Sequence, residues 1–177
     1  MTNLRRAVTV WLGLTLGASA LAAQYRSAGQ WGAGVRLGVS PYDLDGTGTA
    51  LVIGAQVDRA LSKTFLGEVG FPLLDRSSTV RFADIEASER TRLLLPEVSL
   101  QAQASLGRAQ PYIFAGGGAA VSLNGHVAGG GTLHAGLGTR VLVGRRTLLR
   151  FEARARSIRP WAGETVDLTV GLEWIKE

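Results

Sequence analysis

At 177 residues, of which 46% are hydrophobic and 19% charged, the chain has room for one domain plus a targeting segment, and it holds no apolar run long enough for a helix to cross a bilayer. The absence of cysteine excludes a disulfide framework and thiolate metal sites. The formal charge of +5 comes almost wholly from arginine, and no basic stretch interleaved with aromatics supports nucleic-acid binding.

The N-terminus has the three parts of a secretory signal: Arg5 and Arg6, an apolar run from Ala7 to Leu16, then small residues from Gly17 to Ala23. This predicts a signal peptide over 1–23, cleaved after Ala22 or Ala23, and an exported domain over 24–177; the alternative is a buried N-terminal helix. Cleavage removes two of the 19 basic residues, so against 14 acids the mature chain is only mildly basic.

From Trp31 onward the hydrophobic period is two, the period of strands. Trp31, Ala33, Val35, Leu37 and Val39 alternate with Gly32, Gly34, Arg36, Gly38 and Ser40. Leu51, Ile53, Ala55 and Val57 oppose Val52, Gly54, Gln56 and Asp58, a partition that Val52 breaks. Phe65, Val69 and Phe71 follow against Leu66, Glu68 and Gly70, and then Leu94 to Leu106 alternates with Glu97, Ser99, Gln101, Gln103 and Ser105. Pro111 to Ser122 is apolar or glycine on both faces and leaves its orientation open. Three more segments place His134, Arg140, Arg150, Glu152, Arg154, Arg156, Asp167 and Glu173 on polar faces opposite Leu137, Phe151, Val170 and Trp174.

Connections alternate in length. Asp58 to Lys63, Gly107 to Gln110 and Gly144 to Thr147 are short turns, whereas Pro41 to Gly48, Leu73 to Thr91, Leu123 to Gly130 and Ile158 to Glu164 are longer. This predicts an all-β fold, an eight-stranded antiparallel up-and-down transmembrane β-barrel with short periplasmic turns and longer outer loops. The apolar face is assigned outward to membrane lipid, because the polar face is mostly glycine with scattered charges, which suits a narrow lumen. Arg36, Arg140, Arg150, Arg154 and Arg156 balance Glu68, Glu97, Glu152, Asp167 and Glu173 there, predicting an internal ion-pair network. Trp31, Phe65, Tyr112 and Trp174 are expected in the interfacial band at the periplasmic end, with Tyr42, Phe71 and Trp161 at the other. For Arg140 and Arg150 both to point inward, the turn at Arg145-Arg146-Thr147 must be a three-residue loop or contain a bulge.

On Pro111-Tyr112-Ile113-Phe114-Ala115-Gly116-Gly117-Gly118 and the terminal strand Val166 to Trp174, the chain resembles the small outer-membrane β-barrels, the group that includes the transmembrane domain of OmpA. The resemblance implies insertion by the outer-membrane assembly machinery and a mostly closed barrel, and it implies no ligand. Members usually end on an aromatic residue, whereas here Ile175-Lys176-Glu177 follow Trp174.

Chemistry-bearing motifs are few. No local constellation surrounds His126 or His134, so neither an enzyme nor a cofactor is expected. Asp43 to Gly48 begins like a calcium loop, but Gly54 occupies the position of the required glutamate, and the segment reads as a turn. Asn124-Gly125 and Gly129-Gly130-Gly131 are turn chemistry without a helix to follow. The charged segment Asp75 to Arg92 is the best candidate for contact with an outside partner or lipopolysaccharide, against the plainer reading of a solvated loop with a hairpin extension at Thr79 to Ile85. The function expected is structural or surface-interacting through the outer loops. A narrow channel or transporter of small hydrophobic molecules, and a soluble periplasmic barrel of the lipocalin kind, are the alternatives.

Overall fold

The computed structural model describes residues 27–42, 48–82, 85–123, 129–159 and 163–176, and the segment read as a signal peptide lies outside them. The strands are β1 (Trp31–Tyr42), β2 (Gly48–Ala60), β3 (Phe65–Phe82), β4 (Ile85–Leu94), β5 (Glu97–Gln103), β6 (Ala109–Ser122), β7 (Gly129–Leu142), β8 (Thr147–Arg159) and β9 (Gly163–Lys176). All neighbours are antiparallel, and β1 closes on β9 from Trp31↔Lys176 to Tyr42↔Thr165. The result is a closed eight-stranded barrel in which β4 and β5 together make one wall position.

Two prolines explain why that position is split. Leu73↔Leu94 and Gly70↔Glu97 lie in one register against β3, so no residue is inserted between β4 and β5. Between them the Leu95 N–H donates to the Pro72 carbonyl at 2.9 Å, and the Ala119 N–H donates to the Pro96 carbonyl at 3.0 Å. Proline has no N–H with which to return either bond, so the ladder lapses on both sides of Leu95-Pro96 while the register continues.

The short turns set the phase of the strands they join. Leu61 N–H to Phe65 O (2.9 Å) encloses the three residues Ser62-Lys63-Thr64, and Val143 N–H to Thr147 O (3.0 Å) encloses Gly144-Arg145-Arg146. With that three-residue loop, Arg140 pairs with Arg150 and both face inward, as the parity argument requires. The β5–β6 turn is the two-residue Gly107-Arg108 beyond the Leu106↔Ala109 bridge. Gly107 has φ +63°, the left-handed conformation that tight hairpin turns demand. At the opposite end the expectation of a long loop needs correction. The β3–β4 ladder continues to Phe82↔Ile85, and where it leaves the barrel wall Asp75 stands opposite Arg92, 3.3 Å away.

Among the described side chains burial alternates along much of β1, β2, β3, β5, β8 and β9, in the inverted sense. Ile113, Leu133, Leu137, Val98 and Leu100 are more than half exposed, whereas the five lumen arginines are buried. A water-soluble barrel would bury the first set and expose the second, so the soluble alternative, with an apolar core for a ligand, is excluded. The exterior is a lipid-facing surface. Inside, three levels stack along the axis. Val52, Leu74, Leu93, Leu95, Ala120 and Ile158 form an apolar layer toward the long-loop end. Charged side chains fill the middle, and Ala60, Leu66 and Leu148 are buried with Gln103 and Gln110 toward the short-turn end.

Candidate functional site

The lumen is narrow, and the register solves the crowding by setting glycine opposite bulk. Tyr112 pairs with Gly138, Phe114 with Gly136, and His134 with Gly116. A Cβ on Gly138 would lie 2.4 Å from the Tyr112 ring, one on Gly136 would lie 2.6 Å from Phe114 Cζ, and one on Gly116 would lie 2.6 Å from His134 Nε2. Arg36 likewise lies between Gly54 and Gly171. The lumen glycines are the space into which the large side chains of the next strand lie.

With that space provided, side chains from opposite walls meet. Arg150 on β8 reaches Glu68 on β3 at 2.5 Å and also contacts Glu152. Arg36 on β1 reaches Glu97 on β5 at 2.8 Å and Glu152 at 3.4 Å. Arg154 is 2.7 Å from Glu152 and contacts Glu97, while Arg156 bridges Glu97 at 2.6 Å and Asp167 at 2.8 Å. Arg140 donates to Glu173 at 2.8 Å and to the Gln101 carbonyl oxygen at 2.5 Å, and Gln101 donates in turn to Glu68 at 2.7 Å. All ten charged residues read as lumen-facing thus lie inside, within one connected cluster. Asp58, read as the start of a turn, is also buried inside, opposite Glu68 on the β2–β3 ladder.

Of the residues assigned to the interfacial band, Trp31, Phe65 and Trp174 are outward and about half exposed at the short-turn end, and Phe71 is outward toward the other. Tyr112 is a correction: it is 3% exposed, inside the lumen. Across the two-residue Gly107-Arg108 turn it pairs with the inward Gln103, so it must share that residue's face. Its hydroxyl accepts from Arg150 Nε at 2.8 Å and donates to Glu152 at 2.9 Å, and Arg140 stacks 4.3 Å from its ring centroid. Tyr112→Phe is expected to cost about 1.5–3 kcal/mol or more, since a hydrogen bond to each of two charged groups is lost while Arg150 and Glu152 keep one another as partners. Urea unfolding of the folded barrel in vesicles measures this, and an unchanged midpoint would remove the hydroxyl from the network.

His134 has neighbours that no local stretch of the sequence contains. Its Nε2 lies 2.7 Å from Ser99 Oγ, within hydrogen-bond reach, and its Nδ1 lies 3.4 Å from Glu97 Oε2 without a hydrogen bond. Residues 35 positions apart are joined through the rungs Ser99↔Gly116 and Gly116↔His134, which a local search of the sequence does not see. All three side chains are buried, and the Glu97 carboxylate is engaged by Arg36, Arg154 and Arg156. Nucleophilic catalysis needs a substrate carbonyl within reach of the serine, and Leu95 and Ala120 lie buried toward the long-loop end of the lumen. The three side chains pack within the charged middle level of the lumen. His126, Asn124-Gly125, Trp161 and Asp43 to Thr47 lie outside the described residues, and among the described residues no cluster suited to a metal ion occurs.

Solved structures of similar shape carry this inside-out arrangement into a known architecture. Neisserial surface protein A matches with a TM-score of 0.60 at 12% identity, covering 82% of this chain and 95% of its own. The outer membrane protein OprG from Pseudomonas aeruginosa matches at 0.63 and 14% identity, covering 87% and 99%. The N-terminal β-barrel domain of OprF from the same organism matches at 0.50 and 12% identity, covering 82% and 99%. The fold is that of the small outer-membrane β-barrels. No protein-family model and no curated protein matches the sequence.

Proposed function

We propose that the chain is an exported, integral outer-membrane barrel with a closed, ion-paired lumen. On this reading it is inserted by the assembly machinery, has no enzymatic activity, and meets outside partners through its long-loop end. The observation that carries this reading is the content of the lumen. Guanidinium and carboxylate groups from opposite walls fill the middle level, and the apolar layer of Val52, Leu74, Leu93 and Leu95 lies above them. An ion crossing the barrel would have to replace those pairs and then pass a dry constriction. Closure argues against the narrow channel and for a scaffold whose variable parts are the outer connections. Among the described residues the β3–β4 hairpin is one of these, and its ladder outlasts the pairing of β3 with β2, which ends at Ala50↔Arg76.

Heat-modifiable gel migration of the detergent-purified protein, together with planar-bilayer recording, tests the proposal. A faster-migrating unheated form with no steady conductance is the expected result. Reproducible single-channel steps would overturn the closed lumen, and complete extraction from membranes by carbonate would overturn the integral barrel.

A further inference from the structure

The three short turns repeat one small pattern. Leu61-Ser62-Lys63, Leu106-Gly107-Arg108 and Val143-Gly144-Arg145 each place an apolar residue two positions before a cation. Leu61, Leu106 and Val143 are at least half exposed, and Lys63, Arg108 and Arg145 are exposed beside them. None of the triplets carries an acid. Asp58, Glu68, Glu97, Glu152, Asp167 and Glu173 are buried in the lumen, and every other acid except Glu177 falls in the long connections.

The apolar member of each triplet belongs to the lipid-facing surface. Leu61 lies over Gly67, with its Cδ1 3.8 Å from where a Cβ would stand, and Gly67 shares the outward parity of Phe65 and Val69. Leu106 and Arg108 both border a groove on the outer face that Ile113, Leu137 and Phe151 also line. Val143 continues the outward parity of Leu137 and Val141 along β7. Each cation therefore stands where the apolar exterior ends. The β2–β3, β5–β6 and β7–β8 turns are spread round the wall, so the pattern recurs along the rim of the barrel.

An exposed apolar residue with a cation just beyond it complements the boundary of a leaflet, where acyl chains give way to phosphates. We propose that the three turns form an interaction surface for anionic phospholipid headgroups of the periplasmic leaflet, with one phosphate to each of Lys63, Arg108 and Arg145. Long basic side chains suit this depth, because the stem lies along apolar surface while the charge reaches the headgroups, and a charged donor to phosphate makes the stronger kind of hydrogen bond. The outward Trp31, Phe65 and Trp174 at the same end are the aromatic residues that such a boundary favours. An anionic cell-wall glycan would meet the cations but leave Leu61, Leu106 and Val143 in water, whereas acyl chains cover them. The surface rests on the barrel reading above, since only an embedded barrel sets these turns against a leaflet.

The test is native mass spectrometry of the full chain in detergent micelles, titrated with dioleoylphosphatidylglycerol or dioleoylphosphatidylcholine. The expected result is a series of lipid adducts, as many as there are turn cations, each favouring phosphatidylglycerol by about fivefold, the factor that one basic residue near an anionic surface contributes. The Lys63→Gln/Arg108→Gln/Arg145→Gln triple variant is expected to lose that preference. Arg76→Gln/Arg81→Gln/Arg90→Gln, which removes the same charge from the long β3–β4 connection, is expected to keep it. Equal binding of the two lipids by the unaltered chain, or a loss in the second variant as large as in the first, would overturn the surface. So would a preference for soluble anionic peptidoglycan fragments over the lipid. Unheated gel migration of the same samples separates the two ideas: a folded, heat-modifiable barrel without the preference defeats the headgroup surface alone, whereas an unaltered chain that is not heat-modifiable defeats the barrel.

Discussion

Glu152→Gln is expected to destabilise the folded barrel by about 3–5 kcal/mol, the range found when one partner of a buried ion pair is removed. Glu152 contacts Arg36, Arg150 and Arg154 and accepts from the Tyr112 hydroxyl, so neutralising it leaves three guanidiniums to share Glu68 and Glu97. Glutamine keeps the volume, which confines the loss to charge. Urea titration in vesicles, followed by gel migration, reads the effect. The companion experiment removes a whole pair: Arg140→Met with Glu173→Leu should cost less than either change alone, since no orphaned charge then remains inside. A loss under about 1 kcal/mol for Glu152→Gln would show instead that water solvates the lumen well enough to replace the carboxylate.

Gly136→Val is expected to abolish the closed form. A Cβ at this position would stand 2.3 Å from the Ala153 carbonyl oxygen and 2.6 Å from Phe114 Cζ. The ring can turn, but the carbonyl belongs to the β7–β8 ladder and cannot retreat without breaking it. Overpacking a core ordinarily costs about 1–3 kcal/mol, and a backbone collision costs more. Full-length protein that migrates identically with and without heating is the predicted outcome. Leu137→Ala, one residue along on the lipid-facing side, should leave heat-modifiable migration intact; a closed Gly136→Val barrel would mean that the wall can widen at this point.

These two changes probe what strand parity made legible. Arg36, Glu68, Glu97 and Arg150 fall on the polar parity of strands whose other face is clearly apolar, so their inward direction followed from alternation alone. β6 lacks that contrast, so the aromatic character of Tyr112 points it toward the interface, whereas the length of the Gly107-Arg108 turn brings it inward. The apolar layer was hidden for a related reason. Val52 reads as a break in its segment's pattern, Leu74 falls in a segment read as a loop, and Leu93 and Leu95 stand outside the alternation read for their segment, although all four lie toward the same end of the barrel. Breaks that coincide in depth across neighbouring strands form a layer, and seeing them requires the register between strands as well as the pattern along each one. The Ser99–His134 contact needed two such registers in series.

The three-residue turn at Gly144-Arg145-Arg146 has a consequence for how such a chain can change over evolutionary time. Removing one residue from it would force either a two-residue turn or a residue drawn out of a strand, and the first would rotate all of β8 by one pleat. Arg150, Glu152, Arg154 and Arg156 would then face hydrocarbon while Leu149, Phe151 and Ala153 faced the ion pairs. Single-codon deletions at the short turns are therefore close to lethal for folding, whereas insertions beyond the ends of the ladders, on the opposite side of the membrane, leave every strand in phase. Lineages can vary the length of one end freely and hardly at all at the other, and the same asymmetry marks where a foreign epitope can be grafted.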